Sequence, residues 1–315
     1  FGTTDQEYVD AHVKQTDGTY RFTKDSTITY QNGSDMNRGA IKPNEDVRID
    51  ATKCVLTVKS GGRTANVKQS AAISNDGKKL DIKAKTLKLL VNDTTSAAPL
   101  QSAWGIRATG GTTDISGMTE IEVDGTKESK AIHASGGTVT IASLHAKTNV
   151  AAEDAAALYA QNNGRINVNI DHNNAGMGTV TLDGHIVAKD AESRVDAAIY
   201  GKSSHLKGFV YGDGTTNLYL QKGGVWENEK QGANVPTGFA GSHVKQLTGG
   251  GSEDGAGVIF QKDDRKITID KYHGYTKVFF AHDAASPTTI KGGDIVIKKA
   301  VGGSRITLVT DHAGL

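Results

Sequence analysis

The sequence predicts an all-β protein, a right-handed single-stranded parallel β-helix of the solenoid kind. Three observations carry that expectation. First, the eleven-residue phrase at 131–141, AIHASGGTVTI, repeats the phrase at 105–115, GIRATGGTTDI, with six positions identical. Second, the segments around such phrases alternate apolar and polar residues with a period of two. Third, the chain holds 38 Gly against 4 Pro with only 6% aromatic residues, which suits many short strands joined by tight turns.

The phrase has further copies. Leu158 and Ile199 open two of them, in ALYAQNNG and AIYGKSSH, while Ile41 and Ile73 open two upstream. The anchors Ile41, Ile73, Ile106, Ile132, Leu158 and Ile199 stand 32, 33, 26, 26 and 41 residues apart. A unit near 26 residues that grows by insertion is the signature of a repeat architecture.

Within a unit, Thr138-Val139-Thr140-Ile141, Thr179-Val180-Thr181-Leu182 and Asp294-Ile295-Val296-Ile297 alternate as half-buried strands do. Gly pairs such as 110–111, 136–137 and 223–224 punctuate them at corners that need positive φ. Units of this size supply about three short strands each, and stacking them at about 4.8 Å gives roughly ten to twelve coils in a rod of about 50–60 Å. A propeller or sandwich would repeat its Asn-Gly or Asp-Gly hairpins every 8–12 residues. Asn32-Gly33, Asp76-Gly77 and Asp124-Gly125 do not keep that rhythm. The expected organisation is an N-terminal cap over 1–39, regular coils over 40–222, a loop-rich excursion over 223–257 and further coils over 258–315.

With 36 basic and 35 acidic residues spread without long runs, the chain has no electrostatic footprint for nucleic acid. Cys54, the single cysteine, lies in the strand-like CVLTV and reads as a small core residue. No run of residues is long and apolar enough for a membrane-spanning helix. The chain begins at Phe1 with no basic, apolar leader, so a mature or trimmed fragment is expected.

No pattern calls for a catalytic residue, a cofactor or a metal. The carboxylate triplet of a polysaccharide hydrolase has its nearest counterpart in Asp263-Asp264 before Arg265-Lys266, which reads as a charged turn ahead of a strand. Asp171, Asp183 and Asp190 could approach one another, but Asp is expected at turns. The ten histidines are scattered without a close pair, and His133, next to the inward Ile132, is expected to point outward into solvent. The glycine-rich 249–255 lacks the Lys-Ser/Thr of a phosphate loop and the spaced Asp of a calcium repeat.

The repeated phrase, a small residue, an aliphatic one, a variable one and Ala before a polar-Gly turn and an alternating strand, resembles passenger domains of monomeric type V autotransporters over roughly 40–315. The stretch GYTKVFFAHD at 274–283, with PTTIKGGD at 287–294, resembles the C-terminal part of large adhesin passengers of Veillonella-like diderm bacteria. The resemblance implies a cell-surface or secreted adhesin whose passenger acts in cell–cell aggregation, coaggregation, biofilm formation or host attachment. It implies other bacterial cells, host surface protein or glycan, and copies of the chain itself as partners. The membrane would be met only through a translocator barrel that this chain lacks, so the chain would be an excised passenger. Scarce cysteine fits such a protein, since disulfides impede passage through a narrow pore. Two alternatives stay open: a polysaccharide-active lyase or hydrolase on the same fold, and a structural stalk.

For a binding protein of this kind, specificity should lie where the phrase is broken. The longest interval between anchors holds Asp171, His172, Asn173 and Asn174; it also admits one additional, poorly matching coil. The second candidate is 211–239, where Tyr211, Tyr219, Trp226 and Phe239 concentrate the aromatics. Exposed, these would anchor a partner; buried, they would fill a widened core.

Overall fold

A computed structural model describes residues 6–8, 12–32, 39–62, 68–91, 100–232 and 235–309. Among them there is no helix; the chain is all-β, with one large sheet whose pairings are parallel apart from the two short antiparallel pairs at its N-terminal end. Each segment pairs with the segment one repeat earlier and the one a repeat later, a connectivity compatible with a solenoid.

Three columns of side chains make the core, inward along their length except at the C-terminal end, where Ala300 and Leu308 are exposed. The first runs Ile41, Ile73, Ile106, Ile132, Leu158, Ile186, Val210. The second runs Tyr20, Ile49, Ile82, Ile115, Ile141, Val168, Ala197, Leu218, Leu247, Tyr272, Ala300. The third runs Ile28, Val58, Leu89, Ile121, Ala146, Leu182, Leu206, Trp226, Ile259, Val278, Leu308. The two longest columns have eleven members each, in line with ten to twelve coils. Fully burying one such aliphatic side chain contributes about 1.5–3 kcal/mol, so the columns supply most of the driving force for folding. Cys54 is buried as expected, at a bulge where its thiol faces the carbonyl of Phe22 at 3.3 Å.

Two expectations are corrected by the register. Leu158 pairs with Ile186, 28 residues on, and not with Ile199. Ile199 pairs with Leu220 on another face, so the 41-residue gap is a full coil plus part of the next. The stretch 223–257 is no continuous excursion either. Val225–Asn228 and Ser242–Thr248 are ladder strands, joined in parallel to His205–Lys207 and Gly257–Gln261, and to Thr215–Gln221 and Ile267–His273. Their alternation is short and flanked by Gly, which hid it among loop residues.

Outside the core, side-chain columns fix the register. Glu122, Lys147, Asp183, Lys207 and Glu227 are successive neighbours of alternating charge. Each cation sits between two anions one rung away, which favours this pairing over a slipped one. At one corner buried polar side chains form a continuous hydrogen-bonded chain that starts at the Val210 N–H, which donates to Ser242 Oγ at 3.1 Å. Ser242 Oγ donates to Asn228 Oδ1 at 2.6 Å, Asn228 Nδ2 to Gln261 Oε1 at 2.7 Å, and Gln261 Nε2 to the carbonyl of Arg265 at 2.9 Å. The corners also need glycine. A Cβ on Gly164 would lie 2.0 Å from the carbonyl oxygen of Ala134, and one on Gly224 1.9 Å from that of Ile199.

Candidate functional site

The regular ladder is interrupted on one face by a hairpin. After Arg165–Val168, Asn169 takes a positive φ of 56° and turns the chain outward. Ile170–Asp171 then pairs antiparallel with Asn174–Ala175. His172 and Asn173 form the two-residue tip with φ of 46° and 64°, the double positive φ of a type I′ turn. The chain rejoins the ladder at Val180–Asp183.

Asn169 is the clamp at the base. Its buried amide group donates to the carbonyls of Gly176 and Gly178, both at 3.0 Å, and to that of Ala198 at 3.2 Å. Its Oδ1 accepts from the backbone N–H of Gly178 at 2.9 Å. Gly178 leaves room for this, since a Cβ there would lie 2.4 Å from Ser143 Oγ. The hairpin lies against Ala198, which is fully buried.

Beside the hairpin lies a polar groove of about 370 Å³. Arg165, Asn167, Ile170, Asn173, Arg194, Asp196, Asn217, Tyr219, Gln246 and Thr248 line it, drawn from four successive coils. Its floor is built by register alone: Arg165 neighbours Arg194, and Asn167, Asp196, Asn217 and Gln246 follow one another rung by rung. The same column continues beyond the groove in two directions. Toward the N-terminus it passes Thr140 to Asp114 and Asp81; toward the C-terminus it reaches Lys271 and Lys299.

The groove's one carboxylate is fully engaged. Asp196 receives Arg194 through Nε at 2.6 Å and a terminal nitrogen at 3.1 Å, and Asn217 Nδ2 at 2.9 Å. Arg194 is held charged, its pKa raised above the ordinary arginine value by the Asp196 hydrogen bonds. Tyr219 Oη donates to the carbonyl of Asn173 at 2.8 Å, and burial raises the phenol's pKa. Such a site offers fixed amides, hydroxyls and guanidinium groups to a polar ligand. It does not offer the paired free carboxylates that acid–base work on a glycosidic bond requires.

The sequence candidates divide accordingly. Asn173 and Tyr219 meet at the groove, and Asp171, His172 and Asn174 stand on the hairpin above it, Asp171 hydrogen-bonded to His172. Met177, 84% exposed, projects from the same excursion. Tyr211 and Phe239 lie on another face. There Phe239 stacks on Phe209 with ring centroids 4.2 Å apart, Phe209 stacks on His185 at 5.1 Å, and Tyr211 meets Phe239 edge-on at 5.8 Å. Gln231 and Pro236 of the returning segment line a small cleft together with Val150 and Tyr211. Trp226 is corrected outright as a partner-binding residue: it is 0% exposed, an inward rung between Leu206 and Ile259, with its indole N–H on the carbonyl of Gly208 at 3.0 Å.

His133 is corrected as well. It faces outward from the ladder, yet it is buried between Trp104, centroids 6.2 Å apart, and Tyr159 at 5.3 Å. Burial, with Lys130 and Arg107 nearby, lowers its pKa to about 3. Lys130, also buried, points at the Tyr159 ring from 3.7 Å and pairs with Glu128 and Asp154 at 3.0 and 2.9 Å. The acidic residues weighed for catalysis are engaged separately. Asp183 pairs with His205, Asp190 accepts from Ser193 and the backbone of Asn162, and Asp263 takes Arg265. Among the described residues no three metal-ligating side chains converge.

Arg165, Arg194, Asn169 and Asn217 escaped the sequence reading. The signal was their spacing: Arg165 and Arg194 each open an alternating strand one coil apart.

Set beside known proteins, the chain matches no family model, no curated protein and no solved structure. Fold and groove together define an all-β chain with a large parallel sheet and a polar groove bordered on one side by a hairpin. No helix of the described residues is long and apolar enough to cross a membrane.

Proposed function

We propose that the chain is a right-handed single-stranded parallel β-helix, displayed at or released from a bacterial cell surface, that acts as an adhesin. Its resemblance to autotransporter passengers supports the placement, and the three stacked columns with repeat-by-repeat pairing support the solenoid. The observation that carries the adhesive role is the groove itself. Four coils contribute an outward-facing row of amides and guanidinium groups, and the hairpin carrying Asp171, His172, Asn173 and Asn174 walls it in. A stalk needs no such recess, and a hydrolase needs carboxylates that Asp196, tied to Arg194 and Asn217, does not supply. The adhesin attaches to glycan or protein on other bacterial cells or on a host, or to its own copies, by many modest contacts summed along the rod.

Display on a non-adherent cell tests this. Self-aggregation or attachment to other cells is expected, and it should disappear when residues 171–178 are replaced by a two-residue turn. Neither aggregation nor attachment with the intact chain would overturn it.

A further inference from the structure

We propose that the groove binds an acidic saccharide, a chain of carboxylate- or sulfate-bearing sugars laid along the rod from Arg165 toward Lys299. This rests on the adhesive role of the same groove and names its ligand class. Arg165 and Arg194 are register neighbours, so two guanidinium groups stand one rung apart. Only one carboxylate lines the groove, and Asp196 gives both oxygens to Arg194. The guanidinium of the exposed Arg165 makes no hydrogen bond or ion pair with any described residue, while its backbone N–H donates to the carbonyl of Gly137. Its planar fork of donors is matched by an incoming carboxylate or sulfate, whose two oxygens accept side by side.

The rest of the lining selects a saccharide. Asn167, Asn217, Gln246 and Thr248 present amide and hydroxyl groups rung after rung, suited to pairs of sugar hydroxyls. The rungs repeat at about 4.8 Å, close to the length of one pyranose residue in an extended chain, so successive sugars meet equivalent groups. Ile170 and the half-buried Tyr219 are the only large apolar surfaces in the lining, so no pocket receives the side-chain anchor a peptide ligand would insert. Direction comes from the continuing column. Beyond Gln246 it carries the exposed Lys271 and Lys299, whereas at the opposite end the two rungs next to Thr140 are Asp114 and Asp81, which repel an anion before the cation Arg48 is reached. The polyanion therefore extends toward the C-terminal coils.

Binding of four probes to the purified chain tests the proposal: an oligogalacturonate, its methyl ester, a sulfated oligosaccharide and poly-glutamate. One or both acidic saccharides should bind, with affinity falling as salt rises; whether the carboxylated or the sulfated probe binds more tightly identifies the anion. The methyl ester, the same backbone without charge, should bind at least tenfold more weakly, as should R165Q with the oligosaccharide. K271Q/K299Q should weaken long oligosaccharides more than short ones. Equal binding of the methyl ester or of poly-glutamate, or unaltered binding by R165Q, overturns the proposal. If displayed chains attach to cells while no acidic saccharide binds, the ligand class falls and adhesion stands. If an acidic saccharide binds but no cell attaches, adhesion falls instead.

Discussion

The hydroxyl of Tyr219 reaches across 46 residues of sequence to the backbone carbonyl of Asn173, 2.8 Å away. One side chain of the ladder thereby holds the tip of a hairpin that leaves the ladder two coils earlier. Tyr219→Phe removes only that hydroxyl. The hydrogen bond is solvent-exposed, so global stability should fall by no more than about 1 kcal/mol. The hairpin should loosen nonetheless, seen as faster amide hydrogen exchange over 171–176 and weaker attachment of the displayed chain. Unchanged exchange would mean that the bond does not order the tip.

Asn169→Ala is expected to be more severe. It leaves the carbonyls of Gly176, Gly178 and Ala198 and the N–H of Gly178 without their partner, and it places Ala at a positive φ. A loss of about 2–4 kcal/mol is expected from these two effects together. Limited proteolysis should cut first within 170–178, and urea denaturation should report the loss.

Trp226→Ala removes the largest fully buried side chain of the core and should destabilise by about 3–5 kcal/mol. Folded molecules of the variant should bind partners as the parent does, because the indole never reaches the surface. A Trp226→Phe change keeps most of the volume but leaves the Gly208 carbonyl without its donor, and it should fall between the two.

Acid should weaken the protein through two histidines. Burial lowers the pKa of His185 to about 4, and burial with Lys130 and Arg107 lowers that of His133 to about 3. Unfolded histidine titrates near pH 6.5. The contribution of each neutral ring is thus complete above about pH 6.5 and is lost as pH falls through the folded values, because the unfolded chain takes the proton first. His185 has a specific reason to stay neutral, since its Nδ1 accepts the Phe209 N–H at 2.8 Å and a protonated ring would turn a second donor toward it. Urea midpoints between pH 7 and 4 should drop by an amount worth a few kcal/mol. His133→Gln/His185→Gln should show a flatter profile; an identical slope would exonerate both rings.

Lys207→Glu would place a third negative charge between Asp183 and Glu227. These groups are partly exposed, so the expected cost is about 0.5–1 kcal/mol and should shrink at high salt. Denaturation at two ionic strengths checks this.

The fold was legible because the packing that makes it is periodic. Ile73, Ile106, Ile132 and Leu158 share one phrase and one column, since each must rest on the last. The phrase failed at Ile199 for a physical reason. Every face of the core uses the same small-aliphatic alternation, so Ala198-Ile199-Tyr200 looks like a copy while the true next rung, Ile186, is introduced by Gly184-His185. For Trp226 the sequence leaves an exposed anchor and a buried core filler both open, because aromatic scarcity draws attention to it, although the alternation of Val225, Trp226, Glu227 and Asn228 points it inward. The hairpin was visible as an interruption, but the groove was not. Arg165, Asp196 and Tyr219 belong to different coils, and only the register makes them neighbours.

The clamp at Asn169 has an evolutionary corollary. Below the hairpin the ladder passes without interruption, Val168 onto Ala197 and Leu182 onto Leu206, so the apolar columns do not depend on residues 171–175, and the glycines that meet Asn169 tie the base of the insert to the scaffold. That insert is a graft on a finished scaffold. It can be lengthened, recoded or exchanged while the coils keep stacking. A lineage of such chains can therefore change this surface without having to learn again how to fold.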